Sequence, residues 1–333
     1  MKKILIICTT GMGDTLFGAP ALRALRKSFP GAVLDVLAHR KSSDLLRFNP
    51  HINGLYEYRE NPAVKLALAF RLRKKSYGHV LIFHANNRAL SLLDWLHYGE
   101  ALTHQKMEDP RRNIRKPIME KGLHSIIRRL RLVEEIGGKP DGTGMELYFG
   151  KEHQRMAEDF LSAHFSLKSA KPLVGVQIGA AEKIRRWPIE NFAEIIIRIQ
   201  KQYGADIFIS GGKMDRPLYR RLGRAIDLSK VPMIDSLDLL GGAALISRCG
   251  LFISNDTGPL HMAVALGVPT LSLYCPSFPD TTGPINRDEK NLVIQKKVPC
   301  DICLDRECED PFCMASISVD EVFDGVKKIL GPS

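Results

Sequence analysis

Two stretches of this sequence combine acids, glycines and hydroxyls at spacings that chemistry can use. The first is TTGMGDT at positions 9–15, set between the apolar run ILIIC and the helix-like TLFGAPALRALRKSF. A glycine turn between a buried strand and a helix commonly receives a phosphate, because unpaired backbone N–H groups and the helix dipole point at it. Here the third glycine of a dinucleotide fingerprint would fall on Leu16, and no Gly-Lys-Ser/Thr follows to make a P-loop. Asp14 would also repel a phosphate. The motif around Gly11 and Gly13 leaves Asp14 as either a helix cap or a functional acid.

The second stretch is FISNDTGPLHMAVALGVPTLSLYCPSFPDTTGP, 252–284. A strand delivers Asp256 and Thr257 to its carboxyl end, Gly258 and Pro259 start a helix, and His261 lies in the first turn. Proline suits that position, and the free N–H groups near Thr257 and Gly258 form an anion site without a metal. The plainer account is a capped helix with an interior histidine. A third stretch, GAAEKIRRWPIENF at 179–192, carries Lys183, Arg185 and Arg186 on another loop after a buried strand. Such cations can offset the charge of a leaving diphosphate; in the plainer account the loop is merely basic, one of the two arginines has no ligand role, and Trp187 is an apolar plug. Finally Cys300, Cys303, Cys308 and Cys313 follow C-x2-C-x4-C-x4-C. Four thiolates could close a tetrahedron around structural Zn, but the spacing departs from a zinc ribbon, and we read a compact reduced turn with no catalytic metal.

The elements that must position these residues alternate strand and helix. In the first half strands are expected at 3–8, 32–38, 54–58 and 79–84, with amphipathic helices at 15–29 and 63–75. In the second they are expected at 173–178, 205–210, 231–235, 251–255 and 269–274, with helices near 189–203, 216–226, 237–247 and 258–267. This repetition builds an α/β fold with a parallel sheet covered on both faces, and it occurs twice. The join is placed at 164–172, giving Rossmann-like domains at 1–166 and 171–333. Ligands would bind at the carboxyl ends of the strands, in a cleft between the domains. The charged segment 98–117 shows neither period and is expected to be a mobile loop.

The formal charge of +11 over 333 residues implies acidic partners. Part of the excess is local: Lys106, Arg111, Arg112, Arg115, Lys116, Lys121, Arg128, Arg129 and Arg131 face only Glu108, Asp109 and Glu120 between 104 and 131. An anionic partner is expected there, whereas Arg71–Lys75 reads as a solvated helix end. No apolar run reaches the 18 or so residues of a membrane span. MKKILIIC reads as a first strand and not a signal peptide, which places the chain in the cytoplasm. Cys8, Cys249 and Cys275, in or beside apolar runs, read as reduced core residues.

Taken together, GMGDTLFGAPALRALRKSFP, IRRWP and NDTGPLHMAVALGVPTLSLYCPSFPDTTGP resemble glycosyltransferase family 9, the bacterial heptosyltransferases of the lipopolysaccharide inner core. The resemblance spans nearly the whole chain. It implies a GT-B fold, with an acceptor-binding first domain and a sugar-nucleotide-binding second domain whose terminal helix packs back on the first. It implies Asp14 as the general base of an inverting displacement, with Thr257, Gly258 and Arg185 on the diphosphate. Asp256 would orient the donor sugar and His261 would support that loop. The family commonly has lysine where Arg185 stands, so a planar fork replaces a point charge. Asp215, in GGKMDRP, is the match for a ribose-binding acid.

The implied donor is an ADP-sugar with no cofactor required, and the implied acceptor a phosphorylated lipid A core. Arg111, Arg112 and Arg115 would meet acceptor phosphates or the anionic inner membrane surface. Alternatives are a transferase with another donor sugar, a nucleotide binder without catalysis, and a nucleic-acid-binding protein. The last is disfavoured by the lack of a basic-aromatic motif, and an NAD-dependent dehydrogenase by Leu16.

Overall fold

The structure is a computed structural model that describes residues 1–105, 109, 112–166, 171–275, 277–286, 290–296 and 312–332, excluding the Arg88 side chain. The chain divides into two compact units, Met1–Tyr148 and Phe149–Ser333.

The first unit holds strands β1 (Lys3–Cys8), β2 (Val33–His39), β3 (Gly54–Tyr58), β4 (Tyr77–His84), β5 (Tyr98–Thr103) and β6 (Ile114–Arg115), ordered β3-β2-β1-β4-β5-β6. Every adjacent pair is parallel. Parallel strands need crossovers that cover both faces, so β1 is buried continuously from Ile4 to Cys8 instead of alternating. After β1 the chain builds outward through β2 and β3, then returns to lay β4 on the other side of β1. The sheet therefore reverses direction between β1 and β4, and ligands bind outside the carboxyl ends at such a point.

The second unit repeats the plan with β7 (Leu173–Gln177), β8 (Asp206–Ser210), β9 (Leu251–Asn255), β10 (Thr270–Tyr274) and β11 (Asn291–Gln295), ordered β11-β10-β9-β7-β8 and parallel throughout. Its reversal lies between β7 and β9. Helix Ile189–Tyr203 places Phe192, Ile195, Ile196 and Ile199 on one stripe against Val174, Val176, Ile207 and Ile209. It stops at Gly204, whose φ of 57° ends the helix without a Cβ penalty.

Several expectations are corrected. The 98–117 segment is not simply a loop, because β5 and β6 extend the sheet there. Its charge is that of an edge, where Arg115 of β6 pairs with Glu100 of β5. The run 231–235 is not a strand but a single parallel bridge between Ile209 and Met233. Pro232 has no N–H to donate, and its carbonyl instead accepts from Ile209. The expected helix 15–29 is two helices, Met12–Leu16 and Ala19–Ser28, parted at Phe17-Gly18.

The join falls at Tyr148 and Phe149, not at 164–172, because helix Lys151–His164 packs on helix Leu239–Ile246 of the second unit. The terminal helix Val319–Leu330 packs on helix Ile189–Tyr203 and on β9, β10 and β11, all within its own unit. Cys8, Cys249, Cys275 and Cys313 are buried free thiols, while Cys300, Cys303 and Cys308 lie outside the described residues. Among the described residues no helix is long and apolar enough to cross a membrane.

Gly175, in the middle of β7, sits between Phe208 on β8 and Phe252 on β9. A Cβ there would meet the Phe252 ring at 2.6 Å and the Phe208 ring at 2.9 Å. Gly175→Ala should therefore cost about 1–3 kcal/mol through overpacking. A thermal melt should show a midpoint about 2–4 °C lower per kcal/mol, whereas an unchanged midpoint would mean that the two rings move aside freely.

Candidate active site

At the first reversal point Gly11 ends the loop after β1 in an extended conformation, and its carbonyl accepts from the Thr15 backbone and hydroxyl. A Cβ on Gly11 would meet no atom within 4 Å, so its open side is not filled by the protein. One turn later, past Gly13, Asp14 leaves the sheet edge with its side chain 29% exposed. It is not the helix cap, since the capping position is Gly11.

Three side chains surround the carboxylate. Arg129 Nη2 donates to Oδ1 at 2.9 Å and Thr10 Oγ1 donates to Oδ2 at 3.0 Å. His84 Nδ1, at the end of β4, stands 4.0 Å from Oδ2. Arg129 is fully buried on helix Ser125–Glu135, with Nη1 on the Ser125 carbonyl at 2.8 Å and its guanidinium 5.7 Å from the centre of the Phe17 ring. A buried cation needs a partner, and Asp14 supplies the charge.

Burial pushes the Asp14 carboxyl upward. The Arg129 charge, then His84 and the two donated hydrogen bonds, outweigh that and hold it below the usual carboxylate range. Asp14 is thus ionised at neutral pH and is a carboxylate by design of its surroundings. Behind it the Cys8 thiol is pushed up to about 11, chiefly by burial, which disfavours thiolate chemistry at this site. His104, just past β5, has its ring 6.4 Å from that of His84. Burial and then the Arg129 charge drive it down to about 3, so it is neutral.

At the second reversal point β9 delivers Asn255, whose amide donates to the carbonyls of Ile178 and Gly179 and accepts from the Trp187 backbone. This one side chain ties the loop after β7 to the loop after β9. Asp256 follows, 6% exposed, receiving Arg185 Nη1 at 3.0 Å and facing His261 Nε2 at 3.8 Å. Arg185 Nε also pairs with Glu182 at 2.8 Å. Arg185 is therefore placed by two carboxylates, with Nη1 on Asp256 and its Nε beside Glu182. Thr257 caps helix Gly258–Ala265 in an extended conformation without a side-chain cap bond; its hydroxyl lies 3.2 Å from that of Ser254. Asp215 accepts from the Gly212 N–H at 3.0 Å and packs so closely that a Cβ on Gly179 would lie 2.0 Å from its Oδ1. It thereby joins the loops after β7 and β8.

Trp187 is the plug that the plainer account describes, 2% exposed, edge-on to Phe192 and donating to the Ile317 carbonyl at 2.8 Å. Arg186 is tied to the Ala180 carbonyl. The basic segment does not carry the free surplus that counting suggests. Arg112 pairs with Asp94 and Asp109, Arg115 with Glu100 and Glu135, and Arg131 with Glu134. These acids come largely from outside 104–131, which a local count cannot see. Arg111 lies outside the described residues.

Arg129, Thr10 and His84 were missed as site residues. The signal for Arg129 was its position on the apolar stripe of its helix, with Ile126, Leu130 and Val133. No local signal marked His84.

Two parallel-sheet units, each with charged side chains gathered at its reversal point, define a GT-B architecture, and solved structures match it over the full chain. A family 9 glycosyl transferase from Veillonella parvula superposes with a TM-score of 0.85 at 22% identity, covering 99% of this chain and 97% of that one. Escherichia coli ADP-heptose lps heptosyltransferase II gives 0.80 at 20% identity, with 99% and 98% covered. These likenesses are of fold. The chain itself belongs to glycosyltransferase family 9 (heptosyltransferase), whose family model matches residues 101–312. It is 27% identical to lipopolysaccharide heptosyltransferase 2 of Escherichia coli over 85% of this chain and 86% of that protein. It is 23% identical to lipooligosaccharide heptosyltransferase 2 of Campylobacter jejuni over 99% and 100%. The protein is a glycosyltransferase.

Two half-buried histidines make stability depend on pH. His104 titrates near 3 in the fold against an ordinary value of 6.5, so the unfolded chain binds a proton that the folded one refuses. The stabilisation is complete above pH 6.5 and is lost as pH falls toward 3, at up to about 1.4 kcal/mol per pH unit for one proton. His84, also lowered, acts with the same sign. His104→Gln should flatten the decline in the urea midpoint between pH 6.5 and 4; an unaltered slope would show that His104 is charged in the fold.

Proposed function

We propose that this family 9 enzyme transfers heptose from ADP-heptose to a hydroxyl of a lipopolysaccharide inner-core acceptor, with inversion at the anomeric carbon. The observation that carries the reading is Asp14, an ionised, partly exposed carboxylate held at a sheet reversal point by Arg129 and Thr10. As the acceptor oxygen bonds to the anomeric carbon, its proton passes to Asp14 and the carbon–oxygen bond to the diphosphate breaks, releasing ADP.

In the second unit the N–H groups at Thr257 and Gly258 would receive the diphosphate. Arg185 would turn a further guanidinium N–H to a phosphate oxygen while keeping Asp256 in place. Asp256 would orient the sugar hydroxyls, His261 would hold Asp256, and Asp215 would face the ribose. The reading assigns no cofactor, since backbone donors and Arg185 take the leaving charge. The relatives support the donor and acceptor: one solved neighbour is E. coli heptosyltransferase WaaC with ADP, at a TM-score of 0.75 and 18% identity. The acceptor would be a phosphorylated lipid A core at the cytoplasmic face of the inner membrane, with Gly11 and Gly13 lining its approach. Arg112 and Arg115 would serve it with the N–H groups that their present carboxylates leave over.

Melting with ADP, UDP, GDP or NAD at about a hundred times the dissociation constant should show a stabilisation of about 2.7 kcal/mol for ADP alone. Asp14→Asn should keep that shift and lose about 10²–10⁴ in kcat. A shift with UDP or GDP in place of ADP would overturn the donor, and wild-type turnover by Asp14→Asn would overturn the base.

A further inference from the structure

A carboxylate held as Asp14 is held binds protons weakly, and the reaction assigned to it leaves a proton behind. Its two oxygens are not equivalent. Oδ1 takes the Arg129 guanidinium at 2.9 Å, which disfavours a proton there. Oδ2 takes the weaker, neutral Thr10 hydroxyl and faces His84 Nδ1 at 4.0 Å. His84 Nδ1 is fully buried and makes no hydrogen bond in the structure, which a buried ring nitrogen normally does. The His84 side chain is 37% exposed, so the ring as a whole still reaches solvent. The end of β4 sets it there, in register with Cys8 at the end of β1.

We propose that His84 is a proton-relay residue acting through Asp14: the proton that Asp14 takes from the attacking hydroxyl on Oδ2 passes to His84 Nδ1. The proposal rests on the reading of Asp14 as the base. The balance closes within the named groups. The acceptor O–H bond breaks as the new glycosidic bond forms, ADP leaves with the electron pair of the broken bond, and Asp14 is transiently a neutral acid. An approach of about 1 Å brings Oδ2 and Nδ1 into hydrogen-bond range. The proton then moves to the imidazole, Asp14 returns to carboxylate beside Arg129, and the imidazolium loses its proton to water. His84 must start neutral, with its hydrogen on Nε2.

The charged and titratable groups facing His84 agree with that starting state. Burial lowers its pKa first, the Asp14 charge raises it, and Arg129 lowers it again, leaving it below 6.5. His104 on the neighbouring strand end is neutral and adds no charge. An acid whose pKa lies below 3.8 holds its proton at pH 7 in fewer than about one molecule in a thousand. Both groups are lowered, so the resting pair is carboxylate and neutral imidazole, with Nδ1 free to take a proton from Oδ2.

The test compares His84→Asn, His84→Gln and Asp14→Asn in the full chain, using ADP-heptose and a core acceptor. Asparagine keeps an amide nitrogen near the place of Nδ1 but cannot carry the proton. Both His84 variants should melt near the wild type, keep the ADP shift and lose about ten- to a hundredfold in kcat. Both should also lose the acid limb of the kcat profile. In wild-type protein that limb should coincide with the His84 ring titration by ¹⁵N NMR, and Asp14→Asn should move the titration to lower pH, since it removes the charge that favours imidazolium. Rescue of kcat by His84→Asn would show a purely structural role and overturn the relay. So would an acid limb that survives in both variants, or a His84 titration that Asp14→Asn leaves in place. If Asp14→Asn itself turns over normally, the reading of Asp14 as base fails and the relay with it. An inactive Asp14→Asn beside fully active His84 variants would remove the relay alone.

Discussion

The structure depends on a constraint of parallel sheets: two neighbouring strands whose connections run in opposite directions leave an opening at their carboxyl ends that no crossover covers. This occurs between β1 and β4 in one unit and between β7 and β9 in the other. The strands are buried on both faces and cannot present polar groups along their length. Chemistry is therefore confined to the strand ends and the loops and helix starts that follow them. His84 ends β4 and Asp256 follows β9 directly, while Asp14 and Arg185 lie on the segments that leave β1 and β7.

Both openings use the same electrostatic device, an aspartate clamped by an arginine, and differ in how the pair is used. In the first unit the arginine is the buried partner and the acid is the part that reaches solvent. Arg129 is committed to Asp14 and to the Ser125 carbonyl, so its role is to keep the carboxylate charged and aimed. In the second unit the acid is the buried partner, and Arg185 is more exposed and shared with Glu182. Removing one member of a buried pair costs far more than the pair contributes to stability, so these pairs are better understood as devices of position than of stability.

The net charge of +11 also takes a different meaning from the structure. Arg112, Arg115 and Arg129 pair with acids on other elements, Arg131 pairs within its own helix, and Arg115 ties β6 to β5 at the sheet edge. Charges there keep an edge strand from pairing with another chain. What a count of local residues reads as an attractive surface is in large part the internal bonding of a sheet edge.

The order of strands and helices was legible because a doubly covered parallel strand is a short apolar run and a surface helix has an apolar stripe. Both are local patterns, and β1–β4, β7–β10 and the helix Ile189–Tyr203 followed from them. The positions of Asp14, Asp256, Thr257 and His261 at strand ends were equally local. β5, β6 and β11 were not legible: β5 opens on the polar-and-glycine stretch Tyr98-Gly99-Glu100, β6 is only two residues long, and the apolar core of β11 is three residues, Leu292, Val293 and Ile294. Nor could sequence show that Arg129, 115 residues beyond Asp14, closes on one carboxylate oxygen, or that His84 faces the other. Those pairings depend on which strands become neighbours, and the order β3-β2-β1-β4 is decided by tertiary packing. The sequence by itself determined which residues could be acid, base or anion site. Only the fold decided which oxygen of Asp14 is held by a cation and which is left facing a histidine.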